Sequence, residues 1–357
     1  MKPTSIEELQ SFICSHPRLL PHGNKSKTAL LASEGVTQLD LSGLSGMIQY
    51  TPSEFTFTAW AGTEVDEIEC ILNENGQFLP FDPLLVKHGA TLGGTVASGL
   101  SGSGRYRFGG LRDFVLGVQY IDGNGRLVRA GGKVVKNAAG FDIPKMMVGS
   151  LGGLGALLEL SFKVFPRPPA YSTVVSNFSS MPAALESLHL LAITPLDLFC
   201  LDLEPQSGGT VKLMVRIGGF PNSFSERIQR LKSYLGDGES IEGNEETELW
   251  HQIREFSWLP GDCALVKIPL TPNRVGKLDA ILSEWNTKRR YTVGANLAWI
   301  GWQGPIEVLG QHLMELGLSG LVVIGPPGHP RLGVRVAESF SRRIKQALDP
   351  LGRWLEV

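Results

Sequence analysis

The chain has 357 residues, of which 42% are hydrophobic and 19% charged, a composition typical of a globular protein long enough for two domains. Its formal net charge of -2 argues against a protein that coats nucleic acid, which would need an excess of basic residues. The four cysteines form no CxxC pair, so neither a metal site nor a disulfide framework is expected.

The N-terminal residues MKPTSIEELQSFI predict a short amphipathic helix. They lack the long apolar core of a signal peptide, and no apolar run in the chain approaches the ~20 residues that a membrane-spanning helix needs. We therefore expect a cytoplasmic protein without a direct membrane span, for which any membrane association would run through partner proteins.

The first glycine-containing stretch of interest is the loop 21-PHGNKSKTA-29. Its small and polar residues could present successive backbone N–H groups to an anion, and Lys25 and Lys27 add positive charge. An ordinary polar loop fits the same pattern, so this stretch alone leaves both interpretations open.

The second stretch, 89-GATLGGTVASGLSGSGRYRFGGLRD-113, mixes glycines with hydroxyl side chains and three arginines. Backbone and hydroxyl donors of this kind can wrap a pyrophosphate, and a mobile glycine-rich lid is the alternative. The G-x-G-x-x-G fingerprint after a strand is absent, so a nucleotide would not bind here in the Rossmann manner.

Residues 118-VQYIDGNGRLVRAGG-132 predict a β-hairpin, because two apolar runs flank an Asp-Gly-Asn-Gly turn. The third glycine-rich stretch follows, 131-GGKVVKNAAGFDIPKMMVGSLGGLG-155. Its small residues allow close approach of a ring or a ribose, to which Lys136, Asn137 and Asp142 could hydrogen-bond. A strand–turn–helix packing site is the alternative.

The three prolines of 165-FPRPPA-170 mark a predicted domain boundary. Beyond it, strand-like and helix-like apolar patterns follow each other. Strands are predicted at 173–178, 196–203 and 211–217, and helices at 181–193, 224–235 and 275–285. This pattern predicts an α+β domain with an antiparallel sheet and helices on one face. A last helix within 336–354 is predicted to end at Asp349-Pro350.

Five motifs in a fixed order carry a resemblance to a known family: P-x-G-x-x-S, G-A-T-L-G-G-T-V-A, G-x-x-R-D, G-G-K-V-V-K-N-A-A-G-F-D and G-S-L-G-G-L-G. The sequence resembles the PCMH-type FAD-binding domain of the vanillyl-alcohol oxidase superfamily and, within it, the E-subunit family of bacterial glycolate oxidase (glycolate dehydrogenase). The resemblance covers residues 18–168 well. It implies an α+β fold, with a PCMH-type FAD-binding domain of two α+β subdomains at 1–168. A smaller α+β cap domain with an antiparallel sheet, ending in a helix, would follow at 169–357.

The resemblance also implies which residues bind FAD. The first loop would hold the pyrophosphate, and the second stretch would run along the pyrophosphate and flavin. The third stretch would lie near the ribityl chain and the adenosine. The implied cofactor-binding residues are Gly23, Asn24, Lys25, Ser26, Gly89, Thr91, Leu92, Gly93, Gly94, Thr95, Ser98, Gly99, Gly102, Arg112, Asp113, Lys136, Asn137, Gly140, Asp142, Gly149, Ser150 and Gly152.

The sequence departs from the family pattern at two places. Many superfamily members tether FAD to a histidine in the first loop. Lys25 stands where that histidine would fall, so we expect non-covalent FAD. Relatives often end in an N-P-G-K-like tail that approaches the cofactor. This chain keeps Asp349-Pro350 but lacks that tail, so the sequence does not predict whether its C-terminal residues contact the cofactor.

Oxidation of a 2-hydroxy acid by a flavin requires a cation for the carboxylate and a base for the hydroxyl proton. Arg105, Arg107 and Arg112 are candidates for the cation, although phosphate contact or a solvated face is the commoner role. No histidine lies in an H-x-H cluster. Among the histidines, His251 is the best candidate for the base, although a surface or structural role is commoner. The sequence assigns no catalytic residue and no metal ligand.

Complexes of the resembled family combine a catalytic FAD subunit, a smaller FAD subunit of this kind and an iron–sulfur subunit. The resemblance therefore implies a subunit that takes part in oxidising glycolate or D-lactate to the 2-oxo acid and passes electrons to these partners. Two alternatives stay open: a non-catalytic flavin-binding assembly subunit, and a stand-alone FAD-dependent alcohol oxidase. Trp299 and Trp302 could form a partner surface, although core packing is the commoner role of such tryptophans.

Overall fold

The computed structural model of the chain describes residues 1–31, 35–132, 142–328 and 330–355. The α-helices within these residues are α1 (Ile6–Ser15), α2 (Val65–Glu74), α3 (Leu92–Ser98), α4 (Arg105–Phe108), α5 (Ile143–Met147), α6 (Met181–Ala192), α7 (Phe224–Leu235), α8 (Gly243–Arg254), α9 (Pro272–Glu284), α10 (Ile306–Glu315) and α11 (Glu338–Leu348). The strands are β1 (Leu19–His22), β2 (Thr37–Asp40), β3 (Met47–Thr51), β4 (Thr56–Trp60), β5 (Gln77–Phe78), β6 (Val115–Ile121), β7 (Leu127–Gly131), β8 (Ala156–Lys163), β9 (Phe165–Pro166), β10 (Ala170–Phe178), β11 (Leu198–Pro205), β12 (Val211–Gly219), β13 (Glu239–Glu242), β14 (Ala264–Pro269), β15 (Lys288–Thr292), β16 (Leu297–Trp302), β17 (Ser319–Ile324) and β18 (Arg331–Gly333).

The first half of the chain contains two small α+β units. β1 and β2 pair in parallel, and α1 shares a buried apolar cluster with them. The second unit is a five-stranded antiparallel sheet in the order β3-β4-β8-β6-β7, in which β6 and β7 form the predicted hairpin. Ile68 of α2 and Val96 of α3 join Phe57 and Phe162 of this sheet in one buried cluster, which fixes both helices on the sheet.

The second half of the chain is built on a nine-stranded antiparallel sheet in the order β13-β10-β12-β11-β15-β16-β14-β17-β18. On one face, α6, α7, α9 and α10 bury an apolar stripe against the strands, with Leu188, Leu231, Leu278 and Leu313 at its centre. The predicted strands and helices of this half are confirmed. α9 begins at Pro272, a little earlier than predicted, since proline is well suited to the first turn of a helix.

The prediction that all helices cover one face of this sheet is wrong for α8. Trp250 and Ile253 of α8 pack on the opposite face, against Cys200 and Met214. β11 and β12 are apolar at successive positions and not only at every second one, so both faces of the sheet must be covered at this point.

The rest of that second face packs against the first half of the chain. Leu265, Leu297 and Trp299 of the sheet share a buried cluster with Leu84 and Leu100. Trp299 and Trp302 are each only 2% exposed, so core packing is the interpretation that holds for both.

The domain division at residues 168 and 169 stays a prediction, and it falls between β9 and β10. The C-terminal residues, however, return to the first half of the chain. The backbone N–H of Leu19 donates to the carbonyl of Arg353 at 2.7 Å, and Lys345 Nζ donates to the carbonyl of Gly153 at 2.7 Å. The predicted helix end at Asp349 is confirmed, because α11 stops at Leu348.

Candidate functional site

The candidate site is a cleft in the first half of the chain, lined by residues of three separate segments. Its walls are the loop after β1, the helix α3 and the turn before β8. The lining includes nine of the residues predicted to bind the cofactor: Gly23, Asn24, Lys25, Ser26, Thr91, Gly93, Gly94, Ser98 and Gly152.

The loop after β1 packs directly against the start of α3. A Cβ on Gly23 would lie 2.2 Å from Thr91 Oγ1, so only glycine permits this approach. Thr91 Oγ1 in turn accepts a hydrogen bond of 3.2 Å from the backbone N–H of Gly94 and so caps α3. Asn24 Nδ2 donates to Glu64 Oε1 at 2.7 Å, which anchors the loop on its outer side.

Close packing also holds α3 against the sheet. The N–H of Gly93 donates to the carbonyl of Ala61 at 2.7 Å, and a Cβ on Gly93 would lie 2.8 Å from Ala61 Cβ. Leu92 is fully buried and belongs to the apolar core beneath the helix, away from the cleft. Thr95 is 1% exposed, and its hydroxyl has no hydrogen-bond partner within the described residues.

The turn that closes the far wall is attached to α3 by main-chain bonds. The N–H of Gly149 donates to the carbonyl of Val96 at 3.0 Å, and the N–H of Leu151 donates to the carbonyl of Ala97 at 2.8 Å. A Cβ on Gly99 would lie 3.1 Å from Gly149 Cα. Leu151 and Gly152 line the cleft, whereas the predicted residues Gly149 and Ser150 belong to the same turn but do not line it.

The strongest electrostatic feature of the cleft is Lys27. It is 7% exposed, and its ammonium group donates to Ser26 Oγ at 3.3 Å. Across the described chain no carboxylate lies within 4.0 Å of it, and burial lowers its pKa to about 8. A lysine held in this way favours an anion next to it. The sequence pattern gave Lys27 a positive charge but no place among the predicted cofactor-binding residues.

His22 also lines the cleft and was not predicted there. Its Nδ1 lies 2.7 Å from the carbonyl oxygen of Gly23, and its pKa is lowered, mainly because the ring is partly buried. Among the described residues, none of those that line the cleft carries a carboxylate. His251 lies on α8 beside Arg254, outside this lining.

Several predicted residues have local structural contacts outside the lining. Gly102 packs on Asp82, whose Oδ2 would lie 2.3 Å from a Cβ at this glycine. Asp113 accepts a 2.9 Å bond from the N–H of Gly110. Asp142 caps α5, and its hydrogen bond with Lys145 lowers its pKa.

Of the remaining predicted residues, Gly89 packs beside Asn24, with Asn24 Nδ2 lying 3.5 Å from where a Cβ on this glycine would be. Arg112 is exposed in the turn that ends at Asp113. The predicted residues Lys136, Asn137 and Gly140 lie outside the described residues.

These residues fit a cofactor that carries phosphates. Within the described residues, a buried ammonium group without a carboxylate partner and a wall that contains several residues without Cβ atoms meet at one cleft. A diphosphate would supply the acceptors that the ammonium group lacks, and the glycines leave room for it to approach the backbone.

Neither a membrane-spanning helix nor a metal-binding cluster occurs within the described residues. None of their helices is both long and apolar enough to cross a bilayer. In the same ranges, no three His, Cys, Asp or Glu side chains are grouped so as to hold a metal ion.

Comparison with known proteins gives the following matches. Residues 1–131 match the family model described as FAD binding domain. The chain is 31% identical over 354 residues to glycolate oxidase subunit GlcE of Escherichia coli (strain K12), and the alignment covers 97% of this chain and 94% of that protein. It is 27% identical over 192 residues to glycolate oxidase subunit GlcD of Bacillus subtilis (strain 168), covering 52% of this chain and 41% of that protein.

A third relative is the D-2-hydroxyglutarate dehydrogenase of Xanthomonas citri pv. viticola, 25% identical over 190 residues, covering 52% of this chain and 40% of that protein. Among solved structures, an alkyldihydroxyacetonephosphate synthase superposes with a TM-score of 0.71 at 15% identity, covering 99% of this chain and 75% of that one. This last similarity shows the fold alone. The chain thus spans nearly all of one relative and about two fifths of the other two.

Proposed function

The chain belongs to the E-subunit family of glycolate oxidase, with FAD as its cofactor, and from this membership we propose that it is the FAD-binding subunit of a glycolate oxidase-like complex. The complex oxidises glycolate or D-lactate to the 2-oxo acid. Electrons then pass to partner subunits, a catalytic FAD subunit and an iron–sulfur subunit. The names of two relatives, which are subunits of glycolate oxidase, support the idea of an assembly.

The observation that carries this proposal is the position of Lys27 in the glycine-lined cleft. Within the described residues its buried ammonium group has one hydrogen-bond partner, the hydroxyl of Ser26, and it lines the same cleft as the two segments expected to hold a pyrophosphate. We propose that Lys27 and the backbone N–H groups of residues 23–26 bind the diphosphate of FAD. FAD is bound non-covalently, since Lys25 occupies the expected place of a tethering histidine.

When bound, FAD supplies an acceptor for the hydride that leaves the carbinol carbon of a 2-hydroxy acid. The residues of this chain bind and position the cofactor. Gly23 and Gly93 let the first loop and α3 pack tightly as the walls around it, and the apolar side chains Leu41, Ala61 and Leu157 exclude water from the cleft. Excluding water from the cleft strengthens the attraction between Lys27 and a phosphate.

A second candidate function is a flavin-binding subunit that stabilises the complex without substrate chemistry. One observation favours it: the described residues that line the cleft include no carboxylate, and the titratable side chains there, His22, Lys25 and Lys27, all lie in or next to the loop expected to hold the diphosphate. In that case the proton of the substrate would be removed on a partner subunit.

An FAD titration followed by an anaerobic spectrum tests the proposal. We expect the purified chain to bind FAD, and Lys27→Met to weaken the binding by about 10- to 100-fold, the loss of a charged hydrogen bond to a phosphate. Lys277→Met, at an exposed lysine of α9, is the matched control and leaves the affinity unchanged.

Glycolate is then added to the FAD-loaded chain without oxygen. Bleaching of the flavin band shows that this chain carries its own substrate site. A yellow protein that glycolate does not bleach supports the assembly function. Failure to bind FAD at all, by a chain that is folded by circular dichroism, refutes the proposed site.

A further inference from the structure

Lys267 is a cation whose direct neighbours across the sheet are apolar side chains. In β14 it lies directly opposite Trp299 of β16 and Leu321 of β17, so all three side chains share one face of the sheet. Leu265, two residues earlier on the same face, belongs to the buried cluster that joins this sheet to Leu84 and Leu100 of the first half. A lysine in these surroundings requires a compensating partner.

Within the described residues, the ammonium group of Lys267 has one hydrogen bond, and this bond is weak. Its Nζ lies 3.5 Å from the carbonyl oxygen of Gly99, at the outer limit of a hydrogen bond. In the described ranges no carboxylate lies within 4.0 Å of the ammonium group, and the charged neighbour that acts on it is a second cation, Arg105. Burial, and then Arg105, lower the pKa of Lys267 to about 8.

Lys267 nevertheless keeps part of its accessible surface, so it borders open space and is not sealed among packed atoms. A lysine that borders such a space, is close enough to a second cation to feel its charge and has no acid within 4.0 Å among the described residues favours an anion next to it.

The position of Lys267 relates this site to the cofactor cleft. Gly99, its partner, directly follows Ser98, which lines the cleft at the C-terminal end of α3. Thr91, the N-cap at the other end of α3, lines the same cleft as Lys27. The seven residues of α3 span roughly 10 Å, so Lys267 lies at the Ser98 end of this helix, well separated from Thr91.

We propose that Lys267, assisted by Arg105, binds the carboxylate of the small 2-hydroxy acid at the interface between the two halves of the chain. This inference rests on the proposed function and adds the substrate site to it. The neighbouring side chains Trp299 and Leu321 limit the space next to the carboxylate, which favours acids with a very short carbon chain. Lys267 is a binding residue here, and it takes no proton in the proposed role.

Oxalate is a suitable probe, because it is a two-carbon anion that has no hydride to lose. The FAD-loaded chain is titrated with oxalate, and binding is followed by the change in the flavin absorption spectrum and by calorimetry. We expect saturable binding to the wild type and a Kd at least about 30-fold higher for Lys267→Met. Lys267→Arg keeps the charge and most of the affinity, and Lys277→Met behaves as the wild type.

Two further readouts separate this role from others. The Kd for FAD of Lys267→Met should stay within about threefold of the wild-type value, since Lys27, and not Lys267, lines the cleft proposed to hold the phosphates. The variant should also unfold at a higher temperature than the wild type, because methionine fills the same apolar space without an unpaired charge.

Three results would overturn the inference: equal oxalate binding by Lys267→Met and the wild type, no oxalate binding by the wild type, or a loss of FAD affinity as large as the loss of oxalate affinity. The last result would place Lys267 on the cofactor. Failure of the proposed function is recognised separately, because it shows in the wild-type FAD titration before any oxalate is added.

Discussion

Asp202 offers a sharp test of how the two halves of the chain are held together. It is fully buried on β11, accepts a hydrogen bond from the hydroxyl of Ser103 in the glycine-rich segment, and accepts a second bond of 3.1 Å from the N–H of Val293. Burial raises its pKa from 3.8 to about 7, although the bond from Ser103 and the charge of Arg290 act in the opposite direction. We consider the substitution Asp202→Asn, which keeps the shape and removes the titration.

The sign and size of the effect follow from the two pKa values. An acid whose pKa is raised by folding binds more protons in the folded state, so the free energy of unfolding falls as the pH rises from 3.8 to about 7. Between pH 5 and pH 7 this amounts to two pKa units at about 1.4 kcal/mol each, or about 3 kcal/mol. Above pH 7 the penalty is complete and no longer changes.

The assay is urea-induced unfolding, followed by tryptophan fluorescence, of the wild type and Asp202→Asn at pH 5 and pH 8. We expect the free energy of unfolding of the variant, minus that of the wild type, to increase by about 3 kcal/mol between these pH values. The exposed Glu186 of α6 provides the control, since Glu186→Gln should show a constant difference across this range. If Asp202→Asn also shows a constant difference, Asp202 is ionised in the folded protein at both pH values and the reasoning is refuted.

Three other substitutions test the packing of the site and its support. Gly93→Ala places a Cβ 2.8 Å from Ala61 Cβ. We expect thermal unfolding to show about 1–3 kcal/mol lower stability, and FAD titration to show weaker binding of FAD. An unchanged affinity for FAD would show that α3 does not set the width of the cleft. Arg216→Met removes the guanidinium that donates to the carboxylate of Glu246 at 2.7 and 3.0 Å, and Glu246 is only 1% exposed. We expect the free energy of unfolding in urea to fall by about 3–5 kcal/mol, and the double variant Arg216→Met with Glu246→Gln to recover part of this loss. An equal loss in the single and the double variant would contradict the ion-pair explanation. Trp354→Ala removes a ring that is 1% exposed and should cost about 3–5 kcal/mol in thermal unfolding, whereas a neutral effect would mean that the C-terminal residues are not part of the core.

The sequence predicted the walls of the cleft because glycine leaves a local signature where a Cβ would collide. Gly23 and Gly93 are such positions, and each stands in a motif that could be recognised without coordinates. Lys27 was harder, since the pattern shows its charge but not its burial. Lys267 could not be predicted at all, because its meeting with Gly99 depends on the register of a sheet strand 168 residues further along the chain.

The helix α8 shows a different limit of prediction. The helical pattern of residues 243–254 does not say which face of a sheet it will cover. That choice depends on Met214 and Cys200, which make the second face of β11 and β12 apolar, and on the first half of the chain, which covers the rest of this face. Where a sheet is buried on both sides, alternation along one strand gives too little information to assign its neighbours.

The return of the chain to its own beginning affects the order of events during synthesis on the ribosome. Lys345 reaches the turn at Gly153 across 192 residues of sequence, and the segment at Trp354 pairs with Leu19, in the strand that leads into the Lys27 loop. Both supports of the cleft are thus translated after the entire nine-stranded sheet. A nascent chain that has emerged only as far as β9 contains every glycine motif but neither support. We therefore expect cofactor loading to be post-translational, and in a pulse-labelled culture nascent chains that end before residue 345 should carry no tightly bound FAD.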